Sequence, residues 1–498
     1  MTGMMNSQTL IEARSFEEAA QERIPKADRP LFHLSTRAGW MNDPNGFSFY
    51  QGMYHLFYQY YPYDSHWGLM HWGHAVSADL LQWEYLPAAM APDMPYDRDG
   101  CYSGSAIVMP DGRQMLMYTG VLMQPVPEGG MRGVQVQCLA FGNGVDYEKF
   151  AGNPVITEED LPEGASRYDF RDPKIWREKD GSYRCILGSC DSGKDGQILL
   201  YESPDAVSWK LKQVLAKNNG RFGRMWECPD FFELDGKWVL LTSPQDMLPY
   251  DFEYHNGNGT VCLIGSFDPE REVFTEERDQ AIDYGIDFYA PQTILTEDGR
   301  RIMIGWMQNW DTCDLNMEER IWAGQMSLPR ELFIRDGRLY QKPVRELMKL
   351  RKNEVSLNGI TVSGRQKLEG ICGRPAELDV CVRQGPENGF RKFTIRFAEN
   401  EKYHTQVSYR PQESTLKIDR KFSGSRRAII HQRRALVREI DGCLKLHLVI
   451  DRYSVEIFIN DGEQVMTATL YTDPAATGIS FAVEGSAVID VTKWSLER

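Results

Sequence analysis

The stretch WMNDPNGFSFYQGMYHLFYQY (40–60) decides the fold. It reads as a strand carrying Asn-Asp-Pro, a turn at Gly52 and an apolar return strand. Four later segments share this layout: Gly112 before MLMYTG, Gly181 before YRCILGS, Gly236 before WVLLTSP and Gly299 before RIMIGWM. Counting nine residues back from each glycine gives Asp43, Ser103, Asp172, Glu227 and Ala290. Successive glycines are separated by 60, 69, 55 and 63 residues, a spacing that marks a repeated unit.

A second element recurs between these segments: SADLLQWEYL (77–86), NGVDYEKFAG (143–152), SPDAVSWKLK (203–212) and SFDPEREVF (266–274). A small turn followed by an aromatic strand suits the outer edge of each unit. Five units of four strands, closed into a ring, predict a five-bladed β-propeller, which hides its sheet edges and leaves an axial pocket. Asp43, Asp172 and Glu227, in register, would then converge at one mouth of the ring.

After about residue 340 the pattern changes. A helix-like VRELMKLRK (344–352) leads into period-two segments: KFTIRFAE, YHTQVSYR, LKLHLVID, YSVEIFIN, VMTATLYT and TGISFAV. These predict a two-sheet β-sandwich. The expected fold is therefore all-β, a five-bladed β-propeller followed by a C-terminal β-sandwich. Its expected parts are an N-terminal helical extension (1–30), the propeller (31–340), a linker (341–357) and the sandwich (358–498). In the extension, Leu10, Ala13, Phe16, Ala20 and Ile24 recur at three- and four-residue steps and predict one amphipathic helix packed on the body.

The chain has 498 residues and a net charge of −15, which argues against nucleic acid or an anionic membrane as partner. The basic cluster RKFSGSRR (420–427) reads as a solvated loop. The ten cysteines form no framework and read as reduced, mostly buried thiols. Residues 1–30 lack the apolar core of a signal peptide, and no apolar run approaches a membrane span. A cytoplasmic protein is expected. His66, His71 and His74 lack partners that would complete a metal site, so no metal and no cofactor are expected. The partner is expected to be a small carbohydrate, and a homo-oligomer is compatible with these features.

Three converging acids suit glycoside hydrolysis, which needs a proton for the leaving oxygen and negative charge near the anomeric carbon. Arg171 beside Asp172 should help keep that carboxylate ionised. Asn42 and Asn45 flank Asp43 and can donate hydrogen bonds that hold it anionic, as a nucleophile requires. Trp226, Cys228 and Pro229 around Glu227 should raise its pKa, as a general acid requires. Cys228 lacks a histidine partner and reads as packing that tunes Glu227.

WMNDPNG (40–46), YSGS (102–105), FRDPK (170–174), WECPD (226–230), DFYAPQ (287–292) and YSVEIFINDGE (453–463) together resemble the motifs of glycoside hydrolase family 32. That family includes invertases, sucrose-6-phosphate hydrolases and fructan hydrolases. The resemblance implies a retaining β-fructofuranosidase acting on terminal β-linked fructose by double displacement. It assigns Asp43 as nucleophile, Glu227 as general acid/base and Asp172 as transition-state stabiliser. Asn42, Gln59, Trp67, Ser103, Arg171 and Tyr289 match residues lining the fructose pocket, with Trp306 and Trp322 as further pocket candidates. One departure is QYYP (59–62), with Tyr60 and Tyr61 where many members carry Asn, in a loop facing the leaving group. The alternatives are a fructosyltransferase, another five-bladed propeller glycosidase, or a propeller that binds carbohydrate without turnover.

Overall fold

The computed structural model describes residues 6–127, 129–313, 320–386, 389–424 and 430–498. Five antiparallel four-stranded blades follow one another along the chain. Their inner strands are Gly39–Tyr50, Cys101–Val108, Ala165–Arg177, Trp226–Leu234 and Tyr289–Leu295. The recurring outer elements lead into the fourth strands of blades one to four: Trp83–Met90, Tyr147–Lys149, Lys210–Lys217 and Val273–Ala281. Blade five ends with Arg338–Pro343. Turn glycines sit between first and second strands, where Gly52, Gly112, Gly181, Gly236 and Gly299 all have positive φ that a side chain would oppose.

The ring closes through a segment that leaves blade five midway. Trp322–Ala323 pairs in parallel with Gly39 and Trp40 of blade one. Its continuation bridges Gln325 to Ser35 and Met326 to Trp306. Polar contacts fill the axis below the site: Lys174 Nζ lies 2.9 Å from Asp230 Oδ2 and donates to the Thr293 carbonyl at 2.8 Å.

The C-terminal strands wrap around one apolar core containing Phe393, Phe397, Leu446, Ile457 and Phe481. Two long strands, Arg351–Gln366 and Gly478–Leu496, pair with each other and serve both layers. The first half of Gly478–Leu496 pairs with Phe390–Glu399, and its second half with Ala376–Gln384. A short 3₁₀ turn at Arg345–Leu350 precedes this unit, and the first long strand begins directly after it.

Several sequence expectations change in three dimensions. The N-terminal helix spans Gln8–Gln21 and buries Leu10, Ala13 and Ala20, but Phe16 is 40% exposed. Glu17 is buried in its place because Arg37 pairs with it at 2.8 Å and the Ala88 amide donates to it at 2.9 Å. Cys381 and Cys443, expected as thiols, are joined in a disulfide across neighbouring sandwich strands. Arg420, placed in a solvated basic loop, is fully buried against Asp287 and Thr469. Residues 425–427 of that cluster lie outside the described residues.

Buried charge joins propeller and sandwich. His33, ahead of blade one, lies 2.8 Å from Asp451 Oδ2 and 3.0 Å from Glu456 Oε1. Burial opposes its charge, but hydrogen bonds to both carboxylates outweigh that and hold its pKa up at about 9. The sign follows from linkage: a raised histidine pKa favours the folded state fully below its unfolded value, and the gain disappears as pH rises through 9. The melting temperature is therefore expected to fall between pH 6.5 and 9, and less steeply in His33→Gln. Parallel profiles for the two proteins would remove His33 as the titrating group.

Candidate active site

The inner strands meet at one end of the ring, and each carries a β-bulge there. In blades three, four and five, two residues oppose one: Asp172–Pro173, Cys228–Pro229 and Ala290–Pro291 face Leu187, Thr242 and Gly305. The proline lacks an N–H and cannot sit in a regular ladder, so each bulge accommodates it. The leading residues Asp172, Cys228 and Ala290 have φ of +66°, +46° and +50°. Their N–H groups leave the ladder and find side-chain acceptors. Asp172 donates to Thr119 Oγ1 at 3.0 Å, Cys228 to Asp172 Oδ2 at 2.9 Å and Ala290 to Ser243 Oγ at 3.2 Å. Each blade thus fixes the bulge of the next.

This corrects the counting of the repeat. The fourth-blade residue equivalent to Asp172 is Cys228, and Glu227 is the counterpart of Arg171 and Tyr289. Blade four turns on two residues (235–236), whereas blades three and five use five (178–182 and 296–300). The glycine then follows the strand by two residues instead of four, while blade four pairs five residues between bulge and turn instead of four, so counting back nine lands one residue early there. The shift has a chemical consequence, because Arg171, Glu227 and Tyr289 form one group. Arg171 Nε donates to Glu227 Oε1 at 2.9 Å and Tyr289 Oη donates to Glu227 Oε2 at 2.5 Å. The apolar surroundings expected for Glu227 are absent from its carboxylate; Trp226 turns away and donates to the Phe222 carbonyl.

Asp43, Cys228 and Asp172 form the second group. The Cys228 sulfur lies 3.4 Å from Asp43 Oδ2 and 3.5 Å from Asp172 Oδ2. Burial beside these carboxylates pushes the thiol pKa far up, so it stays a weak proton donor to both. Cys228 is more than packing beside Glu227. Ser103 Oγ donates to Asp43 Oδ2 at 3.0 Å.

Burial works against the hydrogen bonds and the Arg171 charge expected to keep the two aspartates ionised. It raises Asp43 to about 6, with the Glu227 charge adding to the effect and hydrogen bonds from Asn42, Ser103 and Cys228 opposing it. Asp172 rises to about 7, because burial and the charges of Glu227 and Asp43 outweigh Arg171.

These groups form the floor of a cavity of about 550 Å³, which Asn42, Asp43, Gln59, Trp67, Ser103, Arg171, Asp172 and Glu227 all line. Gln59 Nε2 is anchored on the Cys101 carbonyl at 3.0 Å. Trp67 is 47% exposed at the mouth and meets Tyr102 edge-on at 6.4 Å. Tyr289 stands behind Glu227 rather than on the cavity wall.

Trp306 and Trp322 do not reach the cavity. Trp306 is fully buried, with ring centroids 5.9 Å from Trp40 and 5.0 Å from Trp310. Trp322 belongs to the closing strand, packs on Tyr453 and lines a separate small cavity with Arg320. The tryptophan on the wall is Trp310, four residues after Trp306. Sequence reading also missed Gln135, Tyr168 and Asp169. The last two immediately precede FRDPK, a proximity that could have drawn attention to them. Gln135 accepts from the Phe170 amide at 2.7 Å and Arg171 Nη1 at 3.3 Å. Among the described residues no cluster of His, Cys, Asp and Glu could hold a metal ion, and no helix is long and apolar enough to cross a membrane.

Comparison with known proteins agrees with this architecture along the whole chain. Residues 33–343 match the glycosyl hydrolases family 32 N-terminal domain, and residues 346–495 match the family's C-terminal domain. The chain is 37% identical to a raffinose invertase of Escherichia coli, covering 98% of this chain and 99% of the relative. It is 36% identical to a sucrose-6-phosphate hydrolase of the same species, covering 97% and 98%. Among solved structures, a Bombyx mori family 32 beta-fructofuranosidase mutant in complex with sucrose superposes with a TM-score of 0.85. That structure shares 35% identity, with 99% of both chains covered. A sucrose-6-phosphate hydrolase from Lactobacillus gasseri superposes with a TM-score of 0.81 at 28% identity, covering 100% of this chain and 97% of that one. Two matched domains, full-length relatives and the shared propeller-and-sandwich architecture make this chain a member of glycoside hydrolase family 32.

Proposed function

We propose that the protein is a retaining β-fructofuranosidase that hydrolyses the terminal β-D-fructofuranosyl bond of sucrose, sucrose 6-phosphate or short fructo-oligosaccharides. The observation that carries this reading is the meeting of Asp43, Asp172 and Glu227, from three blades, on the floor of one sugar-sized cavity.

Each role follows from the surroundings of the residue. Asp43 in its ionised form attacks C2 of the fructosyl unit, and Glu227 gives a proton to the departing oxygen. The C2–O bond breaks as the Asp43–C2 ester forms. Glu227 then takes a proton from water, which attacks C2 and releases fructose and the free Asp43 carboxylate. Asp172 accepts hydrogen bonds from ring hydroxyls, and its charge stabilises the positive character that develops at C2. Tyr289 and Arg171 hold Glu227 in place through both of its oxygens.

The test is the initial rate of fructose release from sucrose, sucrose 6-phosphate, 1-kestose and inulin. Release from none of them would end the reading. The pH dependence carries a second expectation. Asp43 and Asp172, raised to about 6 and about 7, gain protons as pH falls through that window. Because the nucleophile works only when ionised, kcat/KM is expected to drop below about pH 7 and approach a tenfold loss per unit below 6. A rate independent of pH from 5 to 8 would contradict the Asp43 assignment.

A further inference from the structure

We infer that Arg132 is a specificity-determining residue of the leaving-group subsite, placed to take a phosphate carried by the departing sugar. This rests on the β-fructofuranosidase reading and deepens it. It distinguishes sucrose 6-phosphate, whose leaving group is a dianionic sugar phosphate, from sucrose.

The position comes from the hairpin formed by Gln114–Pro125 and Met131–Gly142. Near its middle, Thr119 pairs with Gln137 and supports the Asp172 amide on the cavity floor. Arg132 pairs with Gln124, five residues further along the strand. That is roughly 17 Å along the strand at ~3.4 Å per residue, and the side chain reaches back to Asp169, whose Oδ1 lies 3.8 Å from Arg171 Nη1 beside the floor. A fructosyl ring on Asp43 occupies the floor, so a guanidinium on the wall beyond Arg171 and Asp169 belongs to the leaving-group side. Met123, Met131, Tyr168 and Asp169 line the same wall.

The charge pattern narrows the ligand. Among the described residues on the cavity wall there are two cations, Arg171 and Arg132. Arg171 is committed to Glu227. Arg132 stacks on the Tyr168 ring, with its guanidinium carbon 4.1 Å from the centroid, and its side chain is 44% exposed. Its contact with an acid among the described residues is a long one, Nη2 to Asp169 Oδ2 at 3.4 Å. Asp169 does not depend on it, since Ser166 Oγ also donates to that oxygen at 2.8 Å. A guanidinium carries five N–H donors in a planar fork. Stacking on Tyr168 restrains the plane of that fork, and a half-exposed guanidinium on the cavity wall has donors beyond the one facing Asp169 for bidentate phosphate binding. Arg167 lies on the same ring at 5.3 Å but is tied to Glu158 and Gln124, so it adds positive field rather than donors. A neutral glucosyl group needs no such cation, and four carboxylates in the cavity would otherwise repel a phosphate.

The test compares wild type, Arg132→Lys and Arg132→Gln by kcat/KM on sucrose 6-phosphate and on sucrose. Calorimetric binding of glucose 6-phosphate and of glucose runs alongside. Expected is at least a tenfold fall in the ratio of the two kcat/KM values for Arg132→Gln, with Arg132→Lys in between. Wild type is expected to bind glucose 6-phosphate at least tenfold more tightly than glucose, and Arg132→Gln to lose that preference. An unchanged kcat/KM ratio, or an unchanged binding preference, would overturn the assignment. Failure of wild type to release fructose from either substrate would instead sink the parent reading, and the binding comparison would still judge Arg132.

Discussion

Asp43→Ala and Glu227→Ala are each expected to lower kcat by several orders of magnitude while leaving the fold intact. Loss of the general acid costs on the order of 10²–10⁴. Loss of a nucleophile costs more, roughly 10⁴–10⁶, because no covalent intermediate can form. Added azide separates the two roles. In Glu227→Ala the fructosyl ester forms from a substrate with a good leaving group, and azide attacks C2 to give a fructosyl azide of retained configuration. In Asp43→Ala the small anion enters the space of the missing carboxylate, and the product is inverted. Identical stereochemistry from both variants would defeat the assignment.

Stability distinguishes these losses from collapse. The pKa of Asp43 is raised above its unfolded value by burial, so its ionisation opposes folding above about pH 6. Asp43→Asn removes that cost and is expected to melt at the same or a higher temperature than wild type at pH 8. A lower melting temperature would show that the carboxylate is structural.

The second large effect lies away from the chemistry. Arg330 is fully buried, donating to Glu456 Oε2 at 2.8 and 2.6 Å and to Asp283 Oδ2 at 3.2 Å. It also reaches Gln341 Oε1 at 2.9 Å and Thr467 Oγ1 at 2.7 Å. Glu456 and Thr467 belong to the sandwich, and Arg330 opens the third strand of blade five. Arg330→Ala takes the guanidinium from two buried acids, leaving Glu456 with His33 and Asp283 with Thr467, and removing one partner of a buried pair costs about 3–5 kcal/mol. The denaturation midpoint should fall accordingly, and the pH dependence attributed to His33 should change, because both residues share Glu456. A shift below about 1 kcal/mol would mean that water or a rearranged partner compensates.

Much of this was legible in one dimension. The repeat, the outer-edge elements and the period-two sandwich strands are local patterns, and local patterns survive in sequence because neighbouring residues share one strand. The three acids were legible because Asp43 and Asp172 directly precede a proline and Glu227 precedes Cys-Pro, each at or beside a bulge in its strand. The residues that sequence reading misplaced depend on distant partners. Trp306 and Trp322 look alike as candidates, but ring closure puts one beneath Trp310 and the other against Tyr453. Arg420 resembles its basic neighbours until Asp287 is brought against it.

The chain by itself determined five similar blades, a trailing β unit and which carboxylates would face the axis, since alternation and turn chemistry act over a few residues. Only the tertiary structure decided how those carboxylates are grouped. Blade four has a shorter turn and one more paired residue after its bulge, so Cys228, not Glu227, takes the place of Asp172 and joins the two aspartates, while Glu227 falls between Arg171 and Tyr289. Burial then sets the charge of Asp43 and Asp172 against the hint of their sequence neighbours, because the loss of water around a carboxylate depends on the whole enclosure.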